Sequence, residues 1–263
     1  MLLVQKDLRT IWTKKSQRAL LMLLPLTLVV GIPAVYFVAI SLMPVEPGAK
    51  LPQTLLALLP DYAAGLDYRQ GWLVAFTQLL CPLLFLCVPI LTGAASASYA
   101  FVNERESGTL ETLLLTSMGP KSVFNAKLTN CTLLSVLISG LGFVAFTITV
   151  TIADLFAGVP LFFNLEWLAL LALEMPTLSL FSAAFVALTI NRVHSTGESL
   201  QTMGYLILPV AALYLVQFTG VLRLNLLVLV IVAVVLAVVD IILYNAAARS
   251  FTPEKLLARE GLE

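Results

Sequence analysis

Charge is scarce in this chain. Only 11% of its 263 residues are Asp, Glu, Lys or Arg, where a soluble domain carries about 25%. Hydrophobic residues make up 60% and mean hydropathy is +0.98. That is more apolar surface than one core can hide, so lipid must be the solvent for much of it. Histidine is nearly missing, and the single His194 excludes most histidine-based metal sites and nucleophilic triads. The three cysteines, Cys81, Cys87 and Cys131, are an odd number set in apolar runs. They read as small buried hydrophobes rather than a disulfide framework or metal site. Net charge is zero, which gives no reason to expect nucleic acid as a partner. A Gly-x-x-x-x-Gly-Lys-Ser/Thr phosphate loop is missing too, so the chain has no ATP-hydrolysing motif of its own. No cleavable signal peptide is expected, because the apolar stretch after the polar first segment is too long for one.

What the sequence does have is a series of nearly uncharged runs, each longer than the ~18 residues that span a bilayer. They fall at 19–45, 71–102, 128–153, 167–191, 199–222 and 224–248. The predicted fold is therefore all-α: one polytopic membrane domain over 1–263 with six transmembrane helices. The second run exceeds what a ~30 Å core needs, so its helix should tilt or project. Orientation follows from lysine and arginine. With a cytoplasmic N-terminus, twelve lie inside: Lys6, Arg9, Lys14, Lys15, Arg18, Arg105, Lys121, Lys127, Arg192, Arg249, Lys255 and Arg259. Three lie outside: Lys50, Arg69 and Arg223. Both termini are thus expected inside, in a plasma or inner membrane.

Residues 1–18 place Val4, Leu8, Ile11 and Trp12 on one helical stripe with Lys6, Arg9 and Lys14 off it, which predicts an interfacial helix. In the longest outside loop, Leu51 to Leu59 is apolar between Pro52 and Pro60, and suits a short helix on the outer leaflet.

The stretch between the second and third runs reads Asn103-Glu104-Arg105-Glu106-Ser107-Gly108-Thr109-Leu110-Glu111-Thr112-Leu113-Leu114-Leu115-Thr116. Gly108 permits a sharp turn, Thr109 suits an N-cap, and Glu111 falls in the first turn, where the helix dipole favours an anion. Leu110, Leu113 and Leu114 then form an apolar face. A short amphipathic helix of this kind lies on a membrane or docks into a partner's groove.

The run from Glu104 to Leu114 resembles the first cytoplasmic loop of type-2 ABC export permeases, with its Glu-Arg/Lys-Glu-x-Gly-Thr-Leu-Glu-x-Leu-Leu pattern. Lys127, ahead of the third run, also fits. The likeness is specific over about a dozen residues and loose elsewhere. Many relatives have a proline soon after the leucines, where this chain has Ser117 and reaches proline at Pro120. The resemblance implies a coupling helix at 104–117, in which Glu104, Glu106, Gly108, Thr109, Leu110, Glu111, Leu113 and Leu114 seat in a separate nucleotide-binding subunit. It implies two copies of that ABC ATPase, which would hold ATP and Mg, and a second permease, identical or paralogous. It also implies export by alternating access in a bacterial membrane. No cofactor belongs to this chain on that reading.

Two further cytoplasmic segments are open to more than one use. Arg192, His194 and Glu198 form either a second ATPase contact or an ordinary solvated turn. Thr252-Pro253-Glu254 starts a short C-terminal helix, 252–261, that rests on the membrane or on the ATPase. Within the runs, Glu174 and Asp240 are charges at membrane depth, costing at least ~2.5 kcal/mol each unless paired or hydrated. They line a translocation path and meet a polar or cationic group, or they bond to Ser, Thr or backbone on neighbouring helices. Pro176, just after Glu174, frees backbone groups that could serve. Small residues at Gly93, Ala94, Ala95, Ser96, Ala97 and Ser98, and at Ser139, Gly140 and Gly142, predict close helix packing or a subunit interface.

Rival classes are weaker. An intramembrane protease lacks its serine motif and its buried histidine. A membrane scaffold or sensor working with an ABC-like ATPase stays open. A secondary transporter has no use for the Gly-Thr-Leu-Glu loop.

Overall fold

The computed structural model describes residues 15–45, 49–106, 119–190, 193, 195–218 and 225–251. Everything regular among them is helical. Five helices are long and apolar enough to cross a membrane: Leu21–Leu42, Tyr68–Arg105, Pro120–Ala157, Leu165–Thr189 and Leu226–Ser250. A further helix, Thr196–Phe218, occupies the place of the fifth expected span. We label the helices α1 (15–42), α2 (Gln53–Leu56), α3 (Tyr68–Arg105), α4 (Pro120–Ala157), α5 (Leu165–Thr189), α6 (Thr196–Phe218) and α7 (Leu226–Ser250). The chain has the character of a membrane-embedded protein. Leu133, Leu137, Leu141, Val144, Ile148 and Ile152 leave one flank of α4 apolar and exposed, as does the run Ile231, Val234, Val235, Val238, Ile241 and Ile242 on α7. Such flanks are stable only against hydrocarbon or another apolar surface.

Burial ranks the helices. In the apolar window of α3, 78% of residues are buried, against 22% in α1 and 17% in α7. The central position of α3 follows from its small residues. Gly93, Ala94, Ala95, Ser96, Ala97 and Ser98 are all buried where α3 meets its neighbours. A Cβ added at Gly93 would lie 2.2 Å from Ser182 Oγ and 2.8 Å from the Ser179 carbonyl oxygen, so only glycine lets α3 and α5 approach this closely. Hydroxyls bind the same seam. Ser135 of α4 pairs with Thr92 at 2.8 Å, donates to Ser179 at 2.9 Å, and sits 3.1 Å from the Pro89 carbonyl. Ser182 reaches that carbonyl too, at 3.3 Å. Ser135→Val is expected to cost about 1 kcal/mol, the usual scale for an interhelical hydrogen bond in lipid, read as a lower melting temperature in detergent. The second small-residue set behaves differently: Gly142 packs towards Val29, but Gly140 has open space beside it.

Among the described residues four five-residue π-turns interrupt the helices, at Thr27–Gly31, Phe76–Leu80, Ser98–Val102 and Leu170–Glu174. Three end two residues before a proline: Pro33, Pro82 and Pro176. The cause is local, since proline has no N–H to donate and its ring crowds the carbonyl four residues back, so the preceding turn widens. The fourth has no proline. There the Lys127 ammonium donates to the Ala100 carbonyl at 2.8 Å, a side chain inserted into the backbone ladder.

Several expected boundaries move. Helices α3 and α4 each run 38 residues, about 57 Å at 1.5 Å per residue, so both exceed the 71–102 and 128–153 spans and the projection expected of α3 is shared by α4. Lys127 is consequently not a loop residue but a buried part of α4. In the 49–70 stretch Gln53–Leu56 forms a short helix, and the residues flanking it pack on the bundle. Leu51 and Leu59 are buried, Leu51 against Gly71, and Leu59 and Ala63 cover Val74, Ala75 and Leu79 at the start of α3. At that end Gln70 donates to the Ala157 carbonyl that closes α4, at 2.9 Å, and Gly158 turns the chain with φ +68°. The first 14 residues and 252–261 lie outside the described residues.

Candidate functional site

Two groups of residues singled out in the sequence fall on described parts of the fold. The first is at the end of α3. Asn103–Glu106 is helical and continues α3 directly. Glu104 and Glu106 therefore belong to the stem of α3 in the described residues, and the rest of the expected 104–117 helix lies outside them. Gly108, Thr109, Leu110, Glu111, Leu113 and Leu114 lie outside the described residues.

The stem is tied to its neighbours by charge. Lys127 and Glu104 form an ion pair at 2.6 Å, with the lysine side chain fully buried and the glutamate 14% exposed. The same ammonium lies 5.8 Å from the Phe101 ring centre, so its charge meets a carboxylate, a carbonyl and a π-face at once. Arg105 donates to the carbonyl of Ile190 at the end of α5. One turn earlier, Ser98 and Ser199 share a 2.6 Å hydrogen bond that brings in the start of α6. Phe101, Phe124 and Phe251 stack edge to face and tilted at 5.4–5.9 Å, and Tyr244 packs on Phe124 while donating to Asn125 at 2.8 Å. The stem of α3 is thus coupled to α4, α5, α6 and α7.

Of the second loop, Arg192 and His194 lie outside the described residues. Glu198 is in the first turn of α6, where its backbone N–H donates to Ser195 Oγ at 3.2 Å. Ser195 acts as the cap, a role the sequence analysis did not assign.

The second group is inside the bundle. Glu174 is 1% exposed and Asp240 3%. Neither finds the Ser, Thr or backbone partner that was one of the two expectations. Glu174 Oε1 and both Asp240 carboxylate oxygens have no hydrogen-bond partner among the described residues. The nearby Thr177 hydroxyl donates to Leu173 O at 2.9 Å and Glu174 O at 3.0 Å, so its proton is not offered to the carboxylate. The two carboxylates lie on one helix pair but open into different spaces. Glu174 lines a cavity of about 210 Å³ among α3, α5, α6 and α7. Asp240 lines a shallower groove between Pro176, Thr177 and Leu180 of α5 and Tyr244 of α7.

Sequence reasoning missed Lys127 as the centre of a buried network and also missed Asp154. The Asp154 carboxylate is buried at the far end of α4, where it accepts from the Phe162 N–H at 3.2 Å and steadies the turn into α5. A signal for Lys127 was available: it stands seven residues inside a helix that starts at Pro120. No group of three or more potential metal ligands occurs among the described residues. Comparison with known proteins found no matching family model, no matching curated protein and no matching solved structure.

Proposed function

We propose that this chain is the membrane-spanning permease subunit of an ATP-driven exporter, working with a separate ABC ATPase present in two copies and with a second permease, identical or paralogous. The observation that carries the reading is the sequence from Glu104 to Leu114, because its charge, turn and leucine pattern has no use in a plain connecting loop. The packing of the adjoining stem supports it. A segment that receives force from a soluble ATPase must be joined stiffly to the spans, and Glu104, Lys127 and Arg105 make such a joint. On this reading α6 is a sixth span, the Glu104 end is cytoplasmic, and the membrane is the plasma or inner membrane of a bacterium.

Two experiments test it. The tagged wild-type chain, purified in mild detergent, is expected to bring a phosphate-loop ATPase in stoichiometric amount, and a Gly108→Pro/Glu111→Lys variant to lose it at equal expression. Absence of any ATPase from the wild-type sample would remove the proposal and favour a scaffold or a secondary transporter. Orientation is read separately. The three native cysteines are buried and should resist a membrane-impermeant maleimide. In their presence Lys50→Cys should label from outside intact cells, and Lys121→Cys only after lysis.

A further inference from the structure

We infer that the cavity around Glu174 is a binding site for a lipophilic monovalent cation of the alkylammonium class, with the Glu174 carboxylate as its counter-ion. The cavity, about 210 Å³, has Leu86 of α3 and Leu178 and Phe181 of α5 on its floor, and Leu206 and Val210 of α6 and Leu236 of α7 among its walls. All of these are apolar, and Glu174 is the one charged side chain among the described residues that line it. Its Oε1 is buried without a hydrogen-bond partner among the described residues. A carboxylate left so is costly in a low-dielectric interior, and a bound cation relieves that cost. Among the described residues the other lining side chains are all hydrocarbon, which disfavours a strongly hydrated ion such as Na⁺ that needs oxygens to replace its water shell. A quaternary ammonium carries its charge on methyl groups, so it suits both the carboxylate and the hydrocarbon walls. The aromatic ring of Phe181 adds a π-face to the same lining.

The inference rests on the exporter reading only for its purpose, since binding itself needs no ATPase. The test uses the full chain in lipid nanodiscs, with radiolabelled octyltrimethylammonium and its uncharged isostere 2,2-dimethyldecane as probes. Wild type is expected to bind the cation saturably, and Glu174→Gln to bind it at least tenfold more weakly while its retention of the isostere is unchanged. Val210→Phe, which fills the cavity and keeps the carboxylate, is expected to lose both. Asp240→Asn, which alters the neighbouring groove, should leave cation affinity within threefold of wild type. Equal affinity in wild type and Glu174→Gln, or no saturable cation binding by wild type, overturns the site. If Glu174→Gln does not yield a monodisperse protein, Val210→Phe decides, and unchanged cation affinity there overturns the site as well. A chain that retains its ATPase on purification but shows none of this binding loses the cation site alone, and the permease proposal stands.

Discussion

Lys127→Ala is expected to destabilise the protein by about 3–5 kcal/mol, the scale for removing one partner of a buried ion pair. The lysine is fully buried and holds the Glu104 carboxylate at 2.6 Å and the Ala100 carbonyl at 2.8 Å. Its loss takes a buried counter-charge away from a carboxylate that is only 14% exposed, and takes from the widened turn at Ser98–Val102 the ammonium that bonds the Ala100 carbonyl. The same residue has two separable roles, and a double-variant cycle distinguishes them. Glu104→Gln/Lys127→Met removes both charges together and should recover more than half of the loss, since a matched apolar or neutral pair has no stranded charge. Thermal unfolding followed by gel-filtration fluorescence in detergent reads the result. If Lys127→Ala melts within 2 °C of wild type, the pair is not holding the stem. If the double variant is no better than the single one, the lysine acts through the Ala100 carbonyl instead.

Gly93→Val should be nearly as damaging, at about 3 kcal/mol or more, the upper range of overpacking in a filled interior. Two of the atoms that a new Cβ would meet belong to α5: the Ser182 hydroxyl at 2.2 Å and the Ser179 backbone oxygen at 2.8 Å. The hydroxyl can rotate away, but the backbone oxygen cannot, so α3 and α5 must separate. That separation breaks the Ser135–Ser179 and Ser182–Pro89 contacts together. Gly140→Val is the control. It adds the same atoms at a glycine with open space around it, and should leave stability within 0.5 kcal/mol, the range of ordinary surface changes. Equal yields and melting temperatures for the two valine variants would show that close approach at Gly93 is not needed.

These two positions also mark how far the fold was legible. The apolar runs announced the helices, because a nearly uncharged stretch of that length has few other stable solutions. The small residues from Gly93 to Ser98 announced a tight packing face, but in the second set Gly142 lies near Val29 while Gly140 has open space beside it. Composition says that helices can come close, and only the three-dimensional arrangement says which do. Lys127 was counted among loop charges because a run of uncharged residues begins just after it, at Leu128. Its burial depends on Glu104 arriving from another helix 23 residues away, a pairing that no local pattern encodes. Glu174 and Asp240 stood out at once as charges in apolar runs. That neither would find a hydroxyl or backbone partner among the described residues was not readable, because the nearby Thr177 hydroxyl donates to the Leu173 and Glu174 carbonyls rather than to a carboxylate.

By itself the sequence determined that the chain is helical and built for lipid, through runs too apolar and too long for a soluble core. Proline alone did not place the π-turns: three of the four among the described residues end two residues before one, but Pro25, Pro89 and Pro209 lie in helices with no such turn ending two residues before them. The tertiary structure decided where the remaining charges go. It put α3 at the centre, because its small residues admit α5 and α4 at close range. It buried Lys127 against Glu104, and it left Glu174 facing an apolar cavity. The physical reason is that close approach and charge compensation both depend on which side chains meet, and those come from helices far apart in the chain.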